Sequence, residues 1–159
     1  MPAFSALRSA AVLPLLVALI LLASMFTITS PAEAATRAQR IGNAFDVVRA
    51  QTGDMYRYGA AGPNMFDCSG LVYYSFRRAG FTEVPRTSDA QARHSNRISR
   101  SNMRKGDLVF FHNGGNVYHV GVFAGRDNGR RTIIHASRSG TPVKRDPIWT
   151  NAWFAGTLR

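Results

Sequence analysis

The sequence predicts an α+β domain. Two observations carry this. Apolar residues at helical spacing are confined to the first half of the chain, and runs rich in β-branched and aromatic residues, punctuated by Gly-Asn and Asp-Asn-Gly turns, fill the second half. Helices followed by strands is the order of a domain whose N-terminal helices pack on an antiparallel sheet, here of about five strands. No repeat at a fixed period competes with this reading.

The first residues are expected to lie outside that domain. Arg8 supplies a basic start, Ala10 to Phe26 is an uncharged apolar run, and Ala32-Glu33-Ala34 offers a small-x-small cleavage pattern. This is the layout of a secretory signal peptide over residues 1–34. The run is short for a membrane span and contains Pro14, so no stable membrane anchor is expected. Residues 35–159 then form one compact domain, expected to be secreted and monomeric.

Within the domain, Ile41, Ala44, Phe45 and Val48 follow one helical face between Thr36 and Gly53. "YRYGAAGPNMF" reads as a loop because of its glycines and Pro63. Asp67 is a candidate N-cap for a helix whose stripe is Cys68, Leu71, Val72, Phe76 and Ala79, with Gly80 at the C′ position. Thr87–Ser95 is at most a short polar helix. Strands are expected at Asp107–His112, Val117–Ala124, Arg131–Ser137 and Trp153–Arg159, with "TPVKR" a candidate fifth.

A formal net charge of +11 persists after removal of Arg8 and Glu33 with residues 1–34. Such a surface concentrates on anionic polymers. Wall glycopolymers and nucleic acid are the two candidates, and an arginine-rich solvated surface is the plain alternative. The export signal, and aromatics at core-like strand positions rather than on an exposed platform, count against nucleic acid.

Cys68 is the single cysteine, so an exported domain cannot use it for an internal disulfide. It is a dimer link, a buried apolar residue or a working thiol. At a helix start the unpaired N–H groups favour a thiolate. In the second strand, Val117, His119, Gly121 and Phe123 share one face, and His135 lies on the next strand. A hairpin centred near Asp127 puts His119 and His135 directly opposite each other; centring it on Asn128-Gly129 shifts the register by about three. Cys68, His119 and His135 can therefore serve as nucleophile, base and orienting group. The competing readings are a small buried hydrophobe and two satisfied strand histidines. No metal is expected, because the three residues lack the paired spacing of zinc sites, and no motif suggests a cofactor.

Five blocks in order, "FDCSGLVYYSFRRAG", "VPRTSDAQ", "KGDLVFFHN", "HVGVFAG" and "IIHAS", resemble the NlpC-type cell-wall endopeptidases, the NlpC and p-sixty superfamily of papain-like fold. The resemblance runs from about Gly53 to the end. It implies a thiol peptidase acting on peptidoglycan stem peptides, usually at the bond from γ-D-glutamate to diaminopimelate or lysine. By position it makes Cys68 the nucleophile, His119 the general base and His135 its orienting partner. Tyr56 falls near the oxyanion and substrate, while Asp67, Ser69, Arg86 and Ser88 line the groove, the first two able to hold a free L-alanine amine. "YGAAGP" replaces the commoner Trp-Gly-Gly type of loop. The alternatives are a thiol amidase or transpeptidase on another wall bond, and a wall-binding domain without catalysis.

Overall fold

In the computed structural model the described residues are 31–159, with side chains from Thr36 onward. The expected signal peptide lies outside them, apart from the backbone of residues 31–34. The element order is α1 (Pro31–Ala50), β1 (Met55–Tyr56), β2 (Met65–Phe66), α2 (Cys68–Arg78), α3 (Ser88–His94), β3 (Asn96–Ile98), β4 (Leu108–Asn113), β5 (Asn116–Asp127), β6 (Arg130–His135), β7 (Lys144–Pro147) and β8 (Trp153–Thr157). Among the described residues no helix is long and apolar enough to cross a membrane.

The expected helices form for the expected reasons. Ile41, Ala44, Phe45 and Val48 of α1 are all buried, as are Leu71, Val72 and Phe76 of α2. Asp67 caps α2 by accepting from the Gly70 amide at 2.6 Å. Gly80 ends that helix with φ +90°, which glycine adopts without a Cβ clash. Thr87 caps the short α3 by accepting from Ala90.

The main sheet has six strands in the order β3-β8-β4-β5-β6-β7, each pair antiparallel. The extra strand is β3, three residues that complete the edge beside the C-terminal strand. Its Asn-Arg-Ile carries no alternation long enough to be seen in the sequence. The loop between α1 and α2 also holds a short parallel pair, β1 with β2.

Strand alternation divides the apolar residues between two faces. Leu108, Phe110, Val120, Val122 and Ile134 join α1 and α2 in the larger core. Val109, Phe111, Phe123, Ile133, Trp153 and Ala155 form a second cluster on the other face, covered by Ile98, Met103 and Ile148 from loops and the sheet edge. Asp107 ties the end of the chain to this frame. Its buried carboxylate accepts from Thr157 Oγ1 and Arg159, both at 2.7 Å.

The hairpin register differs from a turn centred on Asp127. Asn128 and Gly129 occupy the turn with φ 46° and 78°, the left-handed pair that a two-residue hairpin needs. Arg126 then faces Arg131, and a bulge between Phe123 and Gly125 takes back one residue, pairing Phe123 with Ile133. Carried two residues further, this register sets His135 across from Gly121. His119 is thus the diagonal neighbour of His135, within reach of a ring.

One close approach fixes the start of α2. A Cβ at Gly70 would lie 2.0 Å from the Ala60 carbonyl oxygen, and that residue's backbone cannot yield without moving the loop before Cys68. Gly70→Ala is expected to destabilise the domain by about 3 kcal/mol, read as a lower urea midpoint. An unchanged midpoint would show that the loop is free to move.

Candidate active site

Cys68 stands at the first position of α2, half-buried, where its amide has no intrahelical acceptor. β5 runs past the thiol, with the Val120 backbone and Ser69 within bonding reach of the sulfur. The neighbouring residue, His119, is buried and turns its Nε2 to His135 Nδ1 at 2.8 Å. His135, almost wholly buried, places its Nε2 3.0 Å from Asp146 Oδ2. Lys144 Nζ reaches the same oxygen at 3.1 Å.

These contacts decide the tautomers. Asp146 is held below the usual carboxylate range: burial opposes ionisation, but hydrogen bonds from His135 and Lys144 and the Lys144 charge outweigh it. An ionised carboxylate only accepts, so His135 Nε2 carries the proton and donates. Burial pulls the pKa of His135 down despite Asp146, and a neutral ring protonated on Nε2 has an accepting Nδ1. His119 Nε2 must therefore donate to it. The pKa of His119 is pulled down to about 3 by burial and by His135, so the ring is neutral and its Nδ1 bears a free lone pair.

The thiol departs from the sequence expectation. Burial raises the Cys68 pKa, and the Asp67 charge adds to this, against the Val120 and Ser69 hydrogen bonds that lower it. The helix start is outweighed because the sulfur is withdrawn from water and a carboxylate sits one residue away. The resting pair is a neutral thiol with a neutral imidazole.

Tyr56, Asp67, Ser69, Arg86 and Ser88 all line one cleft with Cys68, of about 490 Å³, whose walls are completed by Tyr58, Thr87 and Tyr118. The pKa of the Tyr56 phenol is raised by burial and by negative charge beside it, the Asp67 carboxylate at rest and Cys68 whenever it is a thiolate, so the phenol stays protonated. Asp67 has more partners than the sequence suggested. Its carboxylate accepts from Ser69 Oγ, the Gly70 amide, the Gly59 amide and both terminal nitrogens of Arg86, at 2.6–3.1 Å. An incoming substrate amine would have to displace Arg86 from it. Gln91, buried on α3, donates to the Ser69 and Pro85 carbonyls and holds the two cleft walls together.

On the outer side, Tyr118, His119, Ser137, Arg138 and Trp149 line an adjoining hollow. The Trp149 ring stacks on Phe111 at 4.2 Å and 5°, and lies 5.7 Å and 5.4 Å from the His119 and His135 rings. It roofs the imidazole pair. Sequence reading missed Asp146 and Trp149: the first sits on a four-residue strand and the second in a loop, and neither belongs to a periodic pattern.

The NlpC/P60 family model matches residues 53–159, which hold every residue of this site. The chain belongs to the NlpC/P60 family. A Corynebacterium glutamicum protein described as a probable endopeptidase is 40% identical over 122 residues, covering 76% of this chain and 55% of that relative. This NlpC/P60 chain thus spans about half the length of that curated relative. The P60 domain of an antigen of M. avium subspecies paratuberculosis superposes with TM-score 0.65 at 29% identity, covering 76% of this chain and 96% of that one. The peptidoglycan hydrolase RipB of Mycobacterium tuberculosis matches with TM-score 0.66 at 26% identity, over 78% of this chain and 67% of that one. Helices on a mainly antiparallel six-strand sheet are the papain-like α+β arrangement expected of NlpC/P60 domains.

Burying two neutral imidazoles links stability to pH. The His119 pKa falls from 6.5 to about 3 on folding, so between these values the unfolded chain binds the extra proton. The stability this confers is present above the unfolded pKa and is lost as pH falls toward 3. The melting temperature is expected to drop between pH 7 and pH 4.5, and to drop less in His119→Gln. Parallel pH curves for the two proteins would refute the burial of a neutral His119.

Proposed function

We propose that the chain is an exported peptidoglycan hydrolase: a thiol peptidase that cuts stem peptides at the bond from γ-D-glutamate to the following diamino acid. One observation carries the reading. A half-buried thiol at a helix start shares a cleft with a protonated tyrosine, and within bonding reach of the sulfur is the backbone of Val120, next in the chain to the imidazole whose tautomer leaves a free lone pair. The peptidase activity of NlpC/P60 relatives, the wall substrate named for RipB and the resemblance of the five sequence blocks support the substrate class and the bond. The signal-peptide pattern supports export to the wall.

The steps follow from the resting state. Cys68 gives its proton to His119 Nδ1 as the sulfur attacks the peptide carbonyl carbon. The charge on the carbonyl oxygen is received by the Cys68 amide at the start of α2 and by the Tyr56 phenol. His119, now an imidazolium, is stabilised through His135 by Asp146. It passes the proton to the departing amine, leaving a thioester on Cys68. Water, losing a proton to His119, hydrolyses the thioester and restores the thiol. Ser69, Arg86 and Ser88 hold the stem peptide in the cleft. Asp146 acts through the two histidines as a positioning residue.

Purified protein and Cys68→Ala incubated with isolated peptidoglycan test the reading, with released fragments identified by mass. Fragments with γ-D-glutamate at the new C-terminus, made only by the thiol protein, are expected. Equal release by both proteins would refute the thiol mechanism. Diaminopimelate at the new C-terminus would refute the bond, and binding without release would favour a wall-binding domain. Asp146→Ala is expected to lower kcat about 30-fold with KM nearly unchanged. A rise in KM at constant kcat would place Asp146 in substrate binding instead.

A further inference from the structure

At the turn end of the sheet face that carries His119, the β5–β6 hairpin sets Arg126 directly opposite Arg131. Like charges opposed across a strand pair destabilise the pairing. Arg100, from the segment after β3, adds a third guanidinium. Arg100 lies 4.0 Å and Arg131 6.0 Å from the Trp153 ring centroid. Among the described residues no carboxylate lies within ion-pair distance of them. Arg126 donates to the Gly129 carbonyl at 2.7 Å, Arg131 to the Arg100 carbonyl at 3.3 Å and Arg100 to the Asn151 carbonyl at 2.8 Å. The ion pairs formed among the described residues include none of the three. Burial, and after it repulsion from Arg126 and Arg100, depresses the pKa of Arg131. These three arginines, with Arg130 of the same hairpin, border an open hollow of about 250 Å³.

We propose that this hollow binds phosphate groups of an anionic, phosphodiester-linked glycopolymer of the cell wall. The choice of a wall polymer rests on the wall-peptidase reading above; the phosphate chemistry does not. One guanidinium fork satisfies a carboxylate, whereas a phosphate presents oxygens to several forks at once. Arg100, Arg126 and Arg131, joined by Arg130 at the same hollow, therefore suit phosphate. Nucleic acid is disfavoured because single strands need exposed aromatic platforms, and Trp153 is only 5% exposed beneath the arginines. A lipid surface is disfavoured because Ile148 is the only aliphatic residue at the rim, and it is partly buried. Arg126 lies seven residues along β5 from His119, about 23 Å at strand rise. The hollow is thus separate from the cleft, and a polymer held there retains the enzyme without blocking it.

The test compares the parent protein, the triple variant Arg100→Gln/Arg126→Gln/Arg131→Gln, and a charge-matched control, Arg49→Gln/Arg78→Gln/Arg93→Gln. Binding to soluble poly(glycerol phosphate) is measured across a salt series, with polyglutamate, a single-stranded DNA oligomer and phosphatidylglycerol vesicles as competing probes. The triple variant is expected to bind the phosphate polymer at least 10-fold more weakly, with a salt slope reduced by about three, while the control changes less than threefold. Inorganic phosphate is expected to raise the melting temperature of the parent and control but not of the triple variant, which also reports that the variant is folded. Equal losses in both variants would overturn the site in favour of diffuse charge. Tighter binding of polyglutamate, DNA or vesicles than of the phosphate polymer would overturn the ligand. Turnover of a small soluble stem peptide is expected to be the same in all three proteins. Its absence from all three would count against the peptidase reading and leave the phosphate result standing, whereas its loss in the triple variant alone would overturn the separation of the two sites.

Discussion

The Asp146 carboxylate is the interaction on which the rest of the site depends. An ionised carboxylate accepts and cannot donate, so its contact with His135 fixes that ring's proton on the far nitrogen. That in turn leaves His135 only an acceptor for His119, and leaves His119 only one free lone pair. Two buried neutral imidazoles would otherwise have several tautomer combinations of similar energy. A single surface-facing strand residue removes that ambiguity, and Trp149 and Phe111 keep water away from the pair.

The thiol is governed by a conflict between local and tertiary terms. Its position at a helix start favours a thiolate, and the cap that makes that start possible is Asp67, a carboxylate next to the sulfur. Burial and this charge win, and the thiol stays protonated at rest. Arg86 offsets part of the conflict by neutralising Asp67 with two hydrogen bonds, one to each carboxylate oxygen. Asp67 thus serves as helix cap, partner of Arg86 and cleft wall together. This is why the "DCSG" block is so compact: cap, nucleophile, cleft hydroxyl and a glycine with no space for a Cβ occupy four consecutive positions.

The sheet separates its tasks by face. One face is committed to the core beneath α1 and α2. The other carries the histidine pair toward one end and the arginine cluster at the hairpin turn, with an apolar cluster between. His119 and Arg126 are seven residues apart on β5, an odd spacing that plain alternation would put on opposite faces, and the bulge between Phe123 and Gly125 brings them to the same one.

Much of this was written locally. The helix stripes, the caps at Asp67 and Thr87, the long strands and the grouping of Tyr56, Asp67, Ser69, Arg86 and Ser88 around Cys68 follow from short-range spacing, turn chemistry and a family pattern. Strand β3 and the hairpin register did not, since three residues show no period and a bulge is invisible to alternation. By itself the sequence determined an α+β domain with one candidate nucleophile and two candidate imidazoles. Only the tertiary structure decided that the histidines meet diagonally, that Asp146 and Trp149 complete their surroundings, and that the thiol rests protonated. Those outcomes depend on burial and on contacts between distant strands, and neither is encoded in the spacing of neighbouring residues.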